Sequence, residues 1–216
     1  MLPPAPARKA LPAEPPADTD LAAAARAVRR GGVIAYPTEA VFGLGCDPRN
    51  ESAVRRILAL KHRPWEKGLI LIAAHPDQLA PYVLPLDPPL RARVLPTWPG
   101  PVTWLLPARP ETPTWLRGAH QTLACRVTAH PIARRLCEQA ATALVSTSAN
   151  PAGLPPARGA AQVRDYFPEG LDAIVDGPVD PTAGPTEIRD AHSGRVLRPA
   201  AKPDGGHGPD RPHEET

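Results

Sequence analysis

Lysine is scarce in this chain, and its scarcity marks where chemistry could be done. Four lysines (Lys9, Lys61, Lys67 and Lys202) stand against 21 arginines, so arginine serves wherever plain positive charge suffices. Lys9 and Lys202 lie near the two ends, which leaves Lys61 and Lys67 six residues apart with Arg63 between them. A lysine ammonium is a compact point charge on a flexible stem, the form suited to phosphate oxygens, whereas arginine presents a planar fork. The cluster therefore points to a phosphate-bearing ligand. Two solvated cations beside a helix end fit the same residues, because that end favours positive charge. His62 and His75 read as surface residues, and Cys46, Cys125 and Cys137 lack C-x-x-C spacing, so no metal site or disulfide framework is expected.

The elements that must position this cluster surround it. An apolar run, Val33-Ile34-Ala35-Tyr36, reads as a buried strand ending at Pro37-Thr38-Glu39. A loop containing Gly43 and Gly45 follows, then a helix over 51–61 with Val54, Ile57, Leu58 and Lys61 at helical spacing. Pro64 stops that helix and leaves Lys61 at its end, near solvent. A second apolar run, 69–74, completes what reads as a βαβ unit. Its polar residues gather at strand and helix ends, where ligands bind in open α/β sheets.

The remaining chain continues the alternation. Helices are expected at 18–30, 78–82, 90–95, 131–140 and 160–166, and strands at 102–106, 122–127, 143–146 and 173–176, with the segments 186–189 and 196–198 completing the body. The class is α/β, a single domain over 18–199 with a mixed sheet, between a proline-rich tail at 1–17 and a second tail at 200–216. An aromatic content of 4% argues against a base-stacking RNA platform, and a net charge of +3 is compatible with anionic ligands without requiring nucleic acid. The absence of long apolar runs and of a signal-peptide core predicts a soluble, cytoplasmic protein with no membrane partner.

Six peptides, in order, carry a resemblance: Tyr36-Pro37-Thr38-Glu39-Ala40-Val41-Phe42-Gly43-Leu44-Gly45, Leu60-Lys61-His62-Arg63-Pro64, Lys67-Gly68-Leu69-Ile70-Leu71-Ile72, Trp98-Pro99-Gly100-Pro101-Val102-Thr103, Ala124-Cys125-Arg126-Val127 and Ser146-Thr147-Ser148-Ala149-Asn150. Together they resemble the TsaC/YrdC family of L-threonylcarbamoyladenylate synthases, closest to its short, single-domain branch, over about residues 19–200. The resemblance implies a twisted mixed sheet with flanking helices and a concave basic cavity. It implies a nucleotidyltransferase that forms threonylcarbamoyl-AMP and pyrophosphate from L-threonine, bicarbonate and ATP. The product serves threonylcarbamoyladenosine modification of tRNA beside the anticodon, through a downstream threonylcarbamoyl-transferase complex. No tightly bound cofactor is implied; magnesium arrives with ATP. A contact with tRNA or double-stranded RNA is a possible further partnership.

The resemblance also distributes roles. Lys61, Arg63, Ser148 and Asn150 match the catalytic K-x-R and S-x-N pairs, and with Lys67, Thr122 and Arg198 they would bind ATP. Thr38, Arg126, Ser146 and Thr186 would bind threonine. Several have a plainer reading. Asn150 before Pro151 suits an Asx turn, Thr38 a turn hydroxyl, and Arg126, a charge within a buried strand, an internal salt bridge. Arg198 equally suits a residue leading into the tail. A carbamate formed from threonine is already an anionic nucleophile, so the chemistry asks for positioning and charge neutralisation more than for a general base. Two other functions fit the same basic surface. One is a non-catalytic double-stranded RNA-binding or ribosome-maturation factor. The other is a carbamoyl-transfer module like that of hydrogenase-maturation proteins, which lie in longer chains with cysteine-rich zinc regions.

Overall fold

The computed structural model describes residues 18–180 and 182–200, so the tail readings at 1–17 and 201–216 lie outside the described residues. The helices are α1 (Asp18–Arg29), α2 (Glu51–Leu60), α3 (Pro88–Val94), α4 (Thr114–Arg117), α5 (Pro131–Ala140) and α6 (Ala160–Tyr166). The strands are β1 (Ile34–Pro37), β2 (Phe42–Gly45), β3 (Ile70–Ala73), β4 (Val102–Pro107), β5 (Thr122–Val127), β6 (Leu144–Ser148), β7 (Ala173–Ile174), β8 (Glu187–Asp190) and β9 (Val196–Arg198). Single 3-10 turns cover Trp65–Lys67, Pro76–Leu79 and Leu95–Thr97.

All nine described strands form one mixed sheet in the order β7-β1-β2-β6-β3-β5-β4-β8-β9. Side chains on successive strand residues point to opposite faces, and here both faces are covered. Val33, Ala35, Leu71, Ala73 and Val145 face a core shared with Val54, Ile57 and Leu58 of α2 and Val163 of α6. Ile34, Tyr36, Ile72 and Leu144 face a second core, with Leu21 and Val28 of α1 and Ile132 and Leu136 of α5. Three layers result, which explains why the strands read as continuous apolar runs rather than alternating ones.

One expectation is corrected. The segment containing Gly43 and Gly45 is not a loop but β2, paired antiparallel with β1 through Ile34↔Gly45 and Pro37↔Phe42. Strand β1 therefore does not lead directly through α2 to a neighbouring parallel strand. The crossover runs from β2 through α2 to β3, and β6 is inserted between those two strands, antiparallel to both. Glycine weakens a strand through lost packing and added entropy, which hid β2. It is required here by close approach: a Cβ on Gly45 would fall 2.7 Å from a Tyr36 ring carbon and from the Val145 carbonyl oxygen.

Candidate active site

Helix α2 brings the cation cluster to the end of β6. Asn50 caps its start, the side chain accepting from the Ala53 N–H at 3.0 Å. Its end is a Schellman motif: the Arg63 N–H donates to Leu58 O at 2.9 Å and the His62 N–H to Ala59 O at 3.0 Å. His62 occupies the left-handed position, φ 48°, where glycine is usual. Lys61 continues the apolar face of α2 and is only 7% exposed, so the alternative of a solvated helix-end cation is not met. Its Nζ donates to Ser148 O at 2.5 Å, Asn150 O at 2.9 Å and Asn150 Oδ1 at 3.1 Å. Burial, and then the neighbouring Arg63, push the Lys61 ammonium down to about 8.

Two cavities adjoin there. The first, about 330 Å³, is lined by Thr38, Gly43, Arg63, Arg126, Ser146, Ser148, Thr186 and Arg198 among others. The second, about 340 Å³, is lined by Arg63, Lys67, Arg117, His120, Thr122 and Arg198, with Leu105, Leu116 and Ile188 as apolar wall. Arg63 and Arg198 border both. No lining residue of either cavity is an aspartate or glutamate. The residues singled out from sequence thus separate into two chambers, with two arginines at the junction. Lys61 and Asn150 line neither; both are hydrogen-bonded to Ser148, which lines the first.

Each wall residue has a local cause. Thr38 sits in the tight turn joining β1 to β2, its N–H and Oγ1 both donating to Val41 O, at 3.0 and 2.7 Å. The turn-hydroxyl reading is therefore met, yet Thr38 also faces the first cavity. Gly43 opposite leaves the space: a Cβ there would lie 3.3 Å from Thr38 Cγ2 and 3.5 Å from Ser146 Oγ. Ser146 and Ser148 lie two residues apart on β6 and both line this cavity.

Arg126 on β5 is 5% exposed and lies 3.1 Å from Glu39 through Nη2, so the internal salt bridge is also present. Its buried Nε has no partner. Arg63 donates through Nη2 to Gly68 O at 2.9 Å, and its buried Nε likewise lacks a partner. Arg198 grips Thr186 O through Nε and Nη2 at 3.1 and 2.7 Å. Burial holds the Arg63 guanidinium below its ordinary range; Arg198 is lowered by burial and then by Arg126. Arginines still carry their charge at such shifts. Positive charge crowded into a partly buried space without a carboxylate on its walls is a site for an anion.

Sequence reasoning missed three residues here. Glu39 was visible beside Thr38, and a charge in a buried strand demands a partner. Arg117, the last residue of α4, and His120, just beyond it, carry no spacing signal. Among the described residues no group of three or more His, Cys, Asp or Glu side chains could hold a metal ion, and no helix is long and apolar enough to cross a membrane.

Known proteins resemble this chain over most of its described length. The sequence model of the Sua5/YciO/YrdC family, described as telomere recombination, matches residues 26–200. The threonylcarbamoyl-AMP synthase of Nitrosococcus oceani is 59% identical over 175 residues, covering 81% of this chain and 95% of the relative. Among solved structures, P. abyssi Sua5 complexed with L-threonine aligns with TM-score 0.77 and 32% identity over 83% of this chain. This chain spans about half of that one, 54% of its length. E. coli YciO aligns with TM-score 0.74 and 26% identity, covering 84% of this chain and 89% of YciO. The matched span runs from within α1 to the last described residue and includes every residue lining the two cavities; this chain belongs to the Sua5/YciO/YrdC family.

Proposed function

We propose that this protein is a threonylcarbamoyl-AMP synthase, a nucleotidyltransferase that converts L-threonine, bicarbonate and ATP into threonylcarbamoyl-AMP, pyrophosphate and water. The observation that carries the reading is the pair of adjoining cavities with cationic and hydroxyl walls and no carboxylate lining. Relatives of 59%, 55% and 52% identity bearing the synthase name support it. In this reading Arg126 grips the threonine carboxylate and Thr38 accepts from the threonine hydroxyl, with Ser146 and Thr186 shaping the same chamber. Arg63 and Arg198, at the junction, neutralise the carbamate and the α-phosphate. Lys67 and Thr122, joined by Arg117 and His120, face the departing pyrophosphate.

The amine nitrogen attacks the carbon of bicarbonate-derived carbon dioxide, giving a carbamate. A carbamate oxygen then attacks the α-phosphorus, and the bond to the pyrophosphate oxygen breaks. Both steps gain from positioning and from fixed positive charge. With no carboxylate on the walls, magnesium would be held by the nucleotide's own phosphate oxygens and enter with it. The product would pass, in the cytoplasm, to the transferase that modifies tRNA. A duplex-RNA-binding role is less well served, because a 5% exposed Arg126 cannot reach a phosphodiester backbone.

Pyrophosphate release, measured with threonine, bicarbonate and ATP each omitted in turn, tests the proposal. Release should need all three and should prefer threonine over valine strongly, because a site built around a hydroxyl leaves its polar groups unpaired with the analogue. Release independent of threonine would overturn the reading.

A further inference from the structure

We propose that Lys61 and Asn150 fix the proton of the Ser148 hydroxyl, so that Ser148 faces the cavity as a hydrogen-bond acceptor and recognises the threonine N–H rather than a phosphate oxygen. The inference rests on the synthase reading and deepens it.

Asn150 decides the matter. Its Oδ1 lies 2.6 Å from Ser148 Oγ and 3.1 Å from Lys61 Nζ, and its Nδ2 lies 3.2 Å from Pro151 O and 2.7 Å from Leu154 O. Reversing the amide would set its NH₂ against the Lys61 ammonium and its oxygen against two carbonyls, so the orientation is fixed by its partners. An amide oxygen carries no proton. The hydrogen between Ser148 and Asn150 is therefore the serine's, and Ser148 Oγ keeps only lone pairs for the cavity it lines. Asn150 itself is saturated: its oxygen accepts twice and its NH₂ donates twice.

Lys61 holds this arrangement from behind. Its three N–H donors are matched by three acceptors, Ser148 O, Asn150 O and Asn150 Oδ1, so the ammonium has none left for a ligand and ties the backbone at both ends of the S-x-N turn. Thr38 repeats the pattern on the facing wall, its proton given to Val41 O. The chamber thus offers donors from guanidinium groups and acceptors from two hydroxyls. An ionised phosphate oxygen is an acceptor and gains nothing from a second acceptor. The threonine nitrogen retains an N–H from free amine through carbamate to product, so one acceptor can hold it throughout. Lys61 and Asn150 are positioning residues, and Ser148 touches the substrate.

Calorimetric titration of the full-length protein with threonine, and separately with a non-hydrolysable ATP analogue, tests this. Ser148→Ala should weaken threonine by about tenfold, the value of one hydrogen bond, and leave the analogue within about twofold. Lys61→Met should do the same, and the double variant should be no weaker for threonine than Lys61→Met alone, because the two act through one contact. If Lys61→Met does not fold, Lys61→Gln, which keeps two N–H donors, replaces it in the cycle. Loss of the ATP analogue with threonine binding intact in Ser148→Ala would overturn the proposal. So would independent, additive losses in the double variant. Wild-type protein that binds no threonine would overturn the synthase reading first and this inference with it.

Discussion

Arg126 Nη2 lies 3.1 Å from Glu39 Oε2, so the guanidinium that faces the first cavity is anchored from behind by the residue following Thr38. The other Glu39 oxygen accepts from Thr128 Oγ1 at 2.8 Å, which fixes the carboxylate in turn. Side-chain exposures of 6% and 18% leave the pair little water to fall back on. Removing one partner of a buried pair strands the other charge, at a cost of roughly 3–5 kcal/mol. Glu39→Ala should therefore lower stability by about 3 kcal/mol in urea unfolding and weaken threonine binding as Arg126 loses its orientation. A variant with unchanged midpoint and unchanged threonine affinity would show that Arg126 needs no anchor.

The end of α2 supports a prediction that separates stability from activity. His62 sits at φ 48°, exposed, and lines neither cavity. A side chain in the left-handed region costs about 1–2 kcal/mol, partly offset in glycine by the freer unfolded chain. His62→Gly should raise stability by about 0.5 kcal/mol with kinetics unchanged, whereas His62→Val should lower it. A fall in pyrophosphate release by His62→Gly at full stability would mean that the imidazole reaches the substrate.

How far the sequence carried is best seen in particular elements. Strand β5 (Thr122–Val127) and helix α6 (Ala160–Tyr166) coincide with the expected 122–127 and 160–166, because apolar runs and helical spacing are local signals. Strand β2 was lost because its glycines serve contacts to Tyr36 and Val145 that no local pattern announces. The insertion of β6 between β2 and β3 is a long-range fact with no sequence signature. At the site, nine of the eleven expected residues line one or both cavities. The other two, Lys61 and Asn150, line neither cavity: residue type speaks of chemistry but not of where in the fold a side chain stands.

Lys61 also makes a prediction about pH. Its ordinary value of 10.5 is pushed down to about 8 by burial and then by Arg63, the charged group that faces it. A folded-state value below the unfolded one means that the unfolded chain binds more protons between about 8 and 10.5. The stability contributed by this group therefore rises with pH across that window. Its positioning role runs the opposite way, since a neutral amine has one donor fewer for three acceptors. Threonine-dependent kcat/KM should fall above about pH 8 while circular dichroism shows the fold intact. The residual turnover of Lys61→Arg, whose charge persists, should lack that alkaline fall. The threonine amine's own deprotonation acts on both proteins alike, so a shared alkaline fall would exclude Lys61 as its source.

Lys61→Arg is the substitution on which burial changes the expectation most. A solvated helix-end lysine would accept it with no more than about 0.5 kcal/mol of change. At 7% exposure, with Nζ held by Ser148 O, Asn150 O and Asn150 Oδ1, the exchange is no longer conservative. A guanidinium is bulkier, and its donors lie in one plane, so it cannot meet three acceptors set around an ammonium without moving the S-x-N turn. Overpacking of this kind costs about 1–3 kcal/mol. A displacement of Ser148 by about 1 Å is enough to lower turnover by roughly a hundredfold. Thermal unfolding and pyrophosphate release measured on one preparation should therefore fall together. An unchanged unfolding temperature with near-normal turnover would show that the S-x-N turn keeps its place without the Lys61 ammonium.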